Sequence, residues 1–229
     1  MIRELVRSGD RGAPPRLFFN LNAHALNLAL KNSAFAAALN RAEVTFCDGF
    51  GVLLLARIFG DGRLRHRMTP PDFVQEIYRR FHEDGKRIFL VGDEPANVET
   101  YARSVEAKFP KLIAGWHDGF FEPGSSAESA LIEKIRAEKP HLLLLGMGMP
   151  RQELWADVHQ ERLFCKGILT VGALFSWGIS TRRRGPRWAT DRGLEWLFRL
   201  FLEPSRVWKR YLIGLPEVVF RLLLASRRD

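Results

Sequence analysis

The chain has 229 residues, 46% of them apolar, and a formal net charge of +9. That size supports one large core, so a single domain with an appendage is expected rather than two domains. Cys47 and Cys165 stand far apart with no readable secretory leader, which argues against a disulfide framework, and no apolar run reaches the roughly 18 residues of a membrane span.

Taken in order, residues 1–16 are polar, carry the pair Pro14 and Pro15, and read as a loose segment. A short buried strand over 17–19 delivers Asn20 and Asn22 to a loop, and helical patterns follow over 23–30 and 33–39, with Ser33 as the expected N-cap. A second strand over 43–46 ends at Cys47, Asp48, Gly49 and Gly51 before an apolar helix over 52–59. Arg65, Arg67, Thr69 and Asp72 come next, and Pro70 and Pro71 open a helix to about Phe81, with Thr69 a possible cap.

A strand over 87–91 closes on Gly92 and Asp93 and leads to a helix over 96–109. Residues 111–116 form a strand running into His117, Asp118 and Gly119, and residues 127–138 a helix capped by Ser125 or Ser126. Four leucines, 142–145, have the unbroken apolar character of a parallel strand covered on both faces. Gly146 and Gly148 permit a tight turn after it, and Pro150 suits the first turn of a following helix. A last strand over 168–171 ends on Gly172. Strands alternating with helices of 10 to 15 residues predict an α/β fold, a doubly wound, mostly parallel Rossmann-like sheet with Gly92, Gly119, Gly146 and Gly172 along one edge.

From Thr181 onward twelve Lys and Arg face five Asp and Glu, a surplus of seven that accounts for most of the net charge. Trp188, Trp196, Trp208, Phe198, Phe201, Tyr211 and Phe220 lie in the same stretch. Arginine interleaved with aromatics suits the headgroup boundary of an anionic membrane; nucleic acid would attract the same charge, and a solvated face over a helical core would also carry it. The expected organisation is a loose segment over 1–16, an α/β catalytic domain over 17–186 and a basic, aromatic helical appendage over 187–229.

Two places could carry chemistry. The turn at Gly146 and Gly148 would set a helix N-terminus at the carboxyl edge of the sheet, where phosphates bind; an ordinary strand-to-helix junction would look the same. Asp48 stands at a strand end as a candidate general base, or as a turn residue before glycine. The Rossmann G-x-G-x-x-G fingerprint fails at both glycine pairs, and no P-loop, nucleophile elbow, metal-ligand spacing or Asp-x-Asp is present. No metal and no cofactor are expected.

These residues resemble a known family. Asn20 with Asn22, CDGFG at 47–51, RMTPPD at 67–72, GMGMPRQELW at 146–155, RRGPRW at 183–188 and GLEWLFRLFLEPSRVWKR at 193–210 are together similar to the WecG/TagA/CpsF glycosyltransferases, glycosyltransferase family 26. The family pattern usually has Thr where Asn20 stands, Gly where Pro70 stands and Asp where Ser176 stands. The resemblance implies a bacterial enzyme, peripheral on the cytoplasmic face of the inner membrane. Such an enzyme passes a sugar with inversion, and without a metal, from a UDP-sugar donor to a polyprenyl-diphosphate-linked saccharide in surface-polysaccharide synthesis.

It further implies Asp48 as base, with Asn20 opposite it across the crevice bonding sugar or acceptor. Asn22, Arg67, Thr69, Asp72, Gly146 and Gly148 would be substrate neighbours, and Gln152 and Glu153 would meet the nucleotide or ribose. Arg199, Arg206 and Arg210 would neutralise the leaving diphosphate. Expected partners are the donor, the acceptor and an anionic membrane surface, with a second copy of the chain as a further candidate, but no nucleic acid. A nucleotide-sugar oxidoreductase and a basic nucleic-acid-binding module are the competing functional readings.

Overall fold

The structure is a computed structural model that describes residues 14–60, 64–179, 195–202 and 204–225. Six strands form one wholly parallel sheet: β1 (Arg16–Leu21), β2 (Val44–Cys47), β3 (Ile88–Gly92), β4 (Ile113–His117), β5 (Leu142–Gly146) and β6 (Gly167–Thr170), in the spatial order β2-β1-β6-β5-β3-β4. Each expected strand is present. Their order could not be read from the sequence: β1 and β2 build one edge, β3 and β4 the other, and β5 and β6 return to fill the centre.

Successive strand residues feed two separate cores, one on each face. Leu142 and Leu144 join Ile88, Leu90 and Phe18 on one side; Leu143 and Leu145 join Phe89, Val91 and Phe19 on the other. This is why the leucine run shows no polar alternation: both faces are covered. Truncating Leu144, which is fully buried, to alanine would cost about 3 kcal/mol through lost transfer energy and the cavity left behind.

The layers are helices α1 (Ala23–Ala29), α2 (Ser33–Arg41), α3 (Phe50–Phe59), α4 (Pro70–Glu83), α5 (Pro95–Lys108), α6 (Ser126–Glu138), α7 (Arg151–His159) and α8 (Leu174–Gly178). Their starts follow capping chemistry. The side chains of Asn22, Asn32 and Ser125 accept backbone N–H bonds at the heads of α1, α2 and α6, so Asn32 takes the place expected for Ser33. Pro150 precedes α7 instead of lying in its first turn. At the carboxyl edge β3 and β5 approach so closely that a Cβ on Gly92, whose φ is +130°, would stand 2.3 Å from the Gly146 carbonyl carbon.

After residue 179 the description resumes with α9 (Glu195–Leu202) and α10 (Pro204–Trp208), a π-helical turn (Lys209–Gly214) and α11 (Leu215–Ala225). The helical appendage expected over 187–229 thus changes helix type at Lys209, between Arg206 and Arg210. α11 docks on the α/β body: Val218 is fully buried, and Glu217 Oε2 takes a 2.5 Å bond from Lys31 just beyond α1. Of the loose segment expected over 1–16, residues 1–13 lie outside the described residues and Arg16 already opens β1, because its backbone pairs with Gly167 at the start of β6; the RRGPRW motif and the boundary at 186/187 also lie outside the described residues.

Candidate active site

Of the residues singled out in the sequence, Asp48, Asn20, Gln152 and Glu153 meet at the carboxyl edge of β2, β1 and β6. Asp48 follows β2, and its backbone N–H bonds Leu21 O at 2.7 Å, so the loop is held as an extension of the sheet. Asn20, near the end of β1 and 3% exposed, donates from Nδ2 to Asp48 Oδ2 at 2.9 Å. Asn20 is therefore not opposite Asp48 across a crevice. It is a lateral neighbour that holds the carboxylate, because parallel strands set their terminal residues side by side.

The Asn20 amide is committed on its other side too. Thr170, fully buried on β6, donates its hydroxyl to Asn20 Oδ1 at 2.8 Å and accepts the Asn20 backbone N–H at 3.0 Å. Gln152, in the first turn of α7, reaches Asn20 Oδ1 with Nε2 at 3.4 Å and Glu153 Oε1 at 2.7 Å, while its own Oε1 accepts the Gly148 N–H at 3.2 Å. The Gly148 amide expected to meet a phosphate is thus used by the helix that follows it. Thr170 was not singled out from the sequence because nothing distinguishes a strand-end threonine before the strand order is known.

Two further expectations change. Glu153 has no exposed surface, so it does not line the crevice as a ribose contact; burial pushes its carboxyl up to about 7 despite the bond from Gln152. Asn22 is a helix cap whose Oδ1 receives the N–H groups of His24 and Ala25, both at 3.0 Å. Thr69 sits at the N-cap position of α4, but its hydroxyl bonds the Asp72 carboxylate and makes no cap bond; Arg67 stands 3.9 Å from the same carboxylate. Met68 N–H bonds Cys47 O, which ties this Arg67–Asp72 group to the strand that carries Asp48. The Cys47 thiol is pushed up to about 11, first by burial and then by Asp48 beside it, and is inert.

A crevice of about 230 Å³ opens at the ends of β3, β4 and β5, lined by Asp93, Glu94, Asp118, Gly119, Phe120, Met147 and Arg151 together with Gly146, Gly148 and Gly172. Three of the four edge glycines lie here as expected. Asp93 is held by Asn97 and by the Ser176 hydroxyl and N–H. Half-burial works to raise its carboxyl, but those bonds outweigh it and bring the group below its usual range. Arg151 is fixed at the rim, with Nη2 2.6 Å from Phe121 O and the guanidinium 4.7 Å above the Phe121 ring. A carboxylate-lined crevice suits hydroxyl and N–H donors such as those of ribose and base, and leaves most of a diphosphate's charge to be met elsewhere.

Trp155, though part of the most distinctive motif, has a structural place: Nε1 donates to Glu128 Oε1 at 2.8 Å, locking α7 to α6. Arg199 lies on α9, Arg206 on α10 and Arg210 in the π-helical turn, and their side chains lie outside the described residues. Among the described residues no group of three His, Cys, Asp or Glu is arranged to hold a metal ion.

The chain belongs to the glycosyl transferase WecG/TagA/CpsF family, whose model matches residues 1–229. Among its relatives is the N-acetylglucosaminyldiphosphoundecaprenol N-acetyl-beta-D-mannosaminyltransferase of Staphylococcus aureus strain NCTC 8325 / PS 47. It is 23% identical over 207 residues, which cover 90% of this chain and 79% of the relative. Proteins of the same name from strains COL and MRSA252 match to the same extent. The protein is a glycosyltransferase, and neither the oxidoreductase nor the nucleic-acid-binding reading gains support.

Proposed function

We propose that this glycosyltransferase moves a sugar from a UDP-sugar to a polyprenyl-diphosphate-linked saccharide at a membrane surface, with Asp48 as the general base. The acceptor and the β linkage are those in the relatives' name. An α-linked UDP-sugar yields a β product through one inversion. In that step the acceptor oxygen bonds the anomeric carbon, the bond to the diphosphate oxygen breaks with its electron pair leaving on UDP, and the acceptor proton passes to Asp48. The observation that carries this reading is the Asp48 carboxylate, oriented by Asn20 and linked through Gln152 to the Gly148 amide, on the same carboxyl edge of the sheet that opens the crevice.

In this reading Asp93, Asp118 and Arg151 hold the nucleoside, and Gly146 and Gly148 let the donor approach the backbone. Arg199, Arg206 and Arg210 neutralise the departing diphosphate from the C-terminal helices. Arg67, Thr69 and Asp72 border the acceptor side of Asp48.

Membrane contact is supported by apolar surface beside positive charge. On α3, which begins two residues after Asp48, Phe50, Leu54 and Ile58 recur every four residues and are exposed; Leu212, Ile213, Phe220 and Leu223 are exposed on the helices docked against α1. Arg57 and Arg221 flank these rows, and no described helix is long and apolar enough to span a bilayer. An anionic lipid surface matches both features. Self-association over the same rows would appear as a concentration-dependent mass without vesicles.

Asp48→Asn tests the reading: UDP affinity should stay within about twofold while turnover falls by roughly 100-fold or more, because a base acts on the barrier and not on ground-state binding. Parental turnover in that variant would remove Asp48 from the mechanism. A panel of UDP-sugars that includes UDP-N-acetylmannosamine, read by mass spectrometry of the lipid-linked product, identifies the donor.

A further inference from the structure

Glu153 is a carboxylic acid with no exposed surface, one oxygen bonded to Gln152 and the other, Oε2, without a hydrogen-bond partner. A leucine would be easier to bury in its place. The advantage of a carboxyl here must come from what it does to Gln152.

We propose that Glu153 is a positioning residue that sets the direction of a hydrogen-bond relay through Gln152 and Asn20 to Asp48. The proposal rests on the reading of Asp48 as base. A side-chain amide has one accepting oxygen and one donating nitrogen, so turning it over reverses every bond it makes. At Gln152 the nitrogen faces two acceptors, Glu153 Oε1 and Asn20 Oδ1, and the oxygen faces one donor, the Gly148 N–H. Reversed, it would set oxygen against oxygen twice and nitrogen against N–H once.

Asn20 is fixed by the same logic. Its oxygen receives Gln152 Nε2 and the Thr170 hydroxyl, which turns its nitrogen toward Asp48 Oδ2. Thr170 Oγ1 already receives the Asn20 backbone N–H, so its own hydrogen is available to Asn20 Oδ1. With Asn20, Thr170, Gln152 and Glu153 all buried, no water competes for these groups, and direction at one end is felt at the other.

The acceptor at the far end is independent of protonation. Burial raises the Glu153 carboxyl to about 7, and in either the neutral or the ionised form one oxygen remains to accept from Gln152. The 3.4 Å bond between Gln152 and Asn20 is the longest in the relay from Glu153 to Asp48, so losing the Glu153 anchor should act there first.

The test is a double-mutant cycle on the full chain with a soluble acceptor. Glu153→Met removes the acceptor at nearly constant volume and should lower kcat roughly 10- to 100-fold with the donor KM within a few-fold, as expected when a catalytic group is misplaced. Glu153→Gln keeps an accepting oxygen and should restore kcat to within a few-fold of the parent. In an Asn20→Ala background, Glu153→Met should have little further effect, since the relay is already cut. If Glu153→Met does not fold, Gln152→Met breaks the relay one bond nearer and takes its place in the cycle. Parental kcat in Glu153→Met, a loss confined to KM, or full additivity with Asn20→Ala would overturn the relay. With Asp48→Asn inactive, such a result removes the relay alone; with Asp48→Asn fully active, it is the base that fails.

Discussion

In the proposed reaction, Asp48 and the C-terminal helices would contribute their groups by opposite physical means. At the sheet edge the polar groups are joined and, apart from half-buried Asp48, buried: Asp48, Asn20, Thr170, Gln152 and Glu153 come from three strand ends and one helix, and each is held by another. The helices after residue 194 present the reverse, with exposed Phe201, Trp208, Ile213 and Phe220, and docking centred on Val218 and the Lys31–Glu217 pair. A base needs a fixed direction, which burial and directed bonds provide. Diphosphate neutralisation and lipid contact need charge and apolar area near an interface, which a peripheral helix provides. The two regions should therefore fail differently when broken.

The largest effect is expected from deleting residues 187–229. Every described strand precedes the deletion, so the body should keep a cooperative unfolding transition, although uncovering α1 where α11 packs should lower its solubility. Transfer to a soluble short-chain acceptor should fall by roughly 10³-fold, because the diphosphate loses its cationic partners as well as any lipid anchor. An unfolded truncation would show that the helices belong to the core; a fully active one would confine them to anchoring.

Next in size is a pH effect that belongs to the buried region alone. Glu153 titrates at about 7 in the folded protein against an ordinary value of 4.5. Because the folded value is raised, folding takes up a proton between these limits. Stability is greatest below pH 4.5, is lost as pH rises through the window, and is level above about 7. The difference is about 3 kcal/mol, at 1.36 kcal/mol per unit. Glu153→Gln should lack this component, so its stability relative to the parent should improve by about that amount between pH 5 and pH 8, whatever its offset at one pH. Parallel denaturation curves for the two proteins across that range would contradict the burial of this carboxyl.

How far all this could be read from the sequence follows the same division. The six strands were visible because parallel strands covered on both faces are unbroken apolar runs, and Asp48 and the Gly146–Gly148 turn because strand ends announce themselves with Asp and Gly. Burial at the edge was not visible. Gln152 and Glu153 open a helix and look like surface residues facing a ligand; only the insertion of β6 between β1 and β5 seals them. Asn22 looked like a ligand contact because capping and substrate binding use the same side-chain oxygen. In the tail, composition suggested an interface, but no periodicity marked the passage from α10 into the π-helical turn at Lys209.

Single substitutions in the tail sharpen the contrast further. Arg206→Ala and Arg210→Ala leave the exposed aromatics in place, so each should lower kcat on the soluble acceptor by at least about tenfold while vesicle binding changes little, each surface cation contributing only about 1 kcal/mol to lipid attraction. EDTA should leave transfer by the parent unchanged if arginine supplies the positive charge; a loss restored by Mg²⁺ or Mn²⁺ would reassign that role to a metal.

The smallest effect tests whether the body itself meets the membrane. Ile58 is 61% exposed near the end of α3, on the row with Phe50 and Leu54 and beside Arg57. Nothing in the fold requires an isoleucine there, so Ile58→Ser should change stability by no more than about 0.5 kcal/mol. If the row enters the headgroup layer, the lost methyl and methylene groups should weaken binding to phosphatidylglycerol vesicles by about 1 kcal/mol, roughly fivefold, without altering kcat on a soluble acceptor. The change should persist in high salt, because it removes apolar area and no charge, whereas Arg57→Gln should matter only at low salt. Equal vesicle binding by Ile58→Ser and the parent would leave α3 outside the membrane and assign the contact to the C-terminal helices alone. A drop in self-association in place of lipid binding would make the row a contact between two copies of the chain.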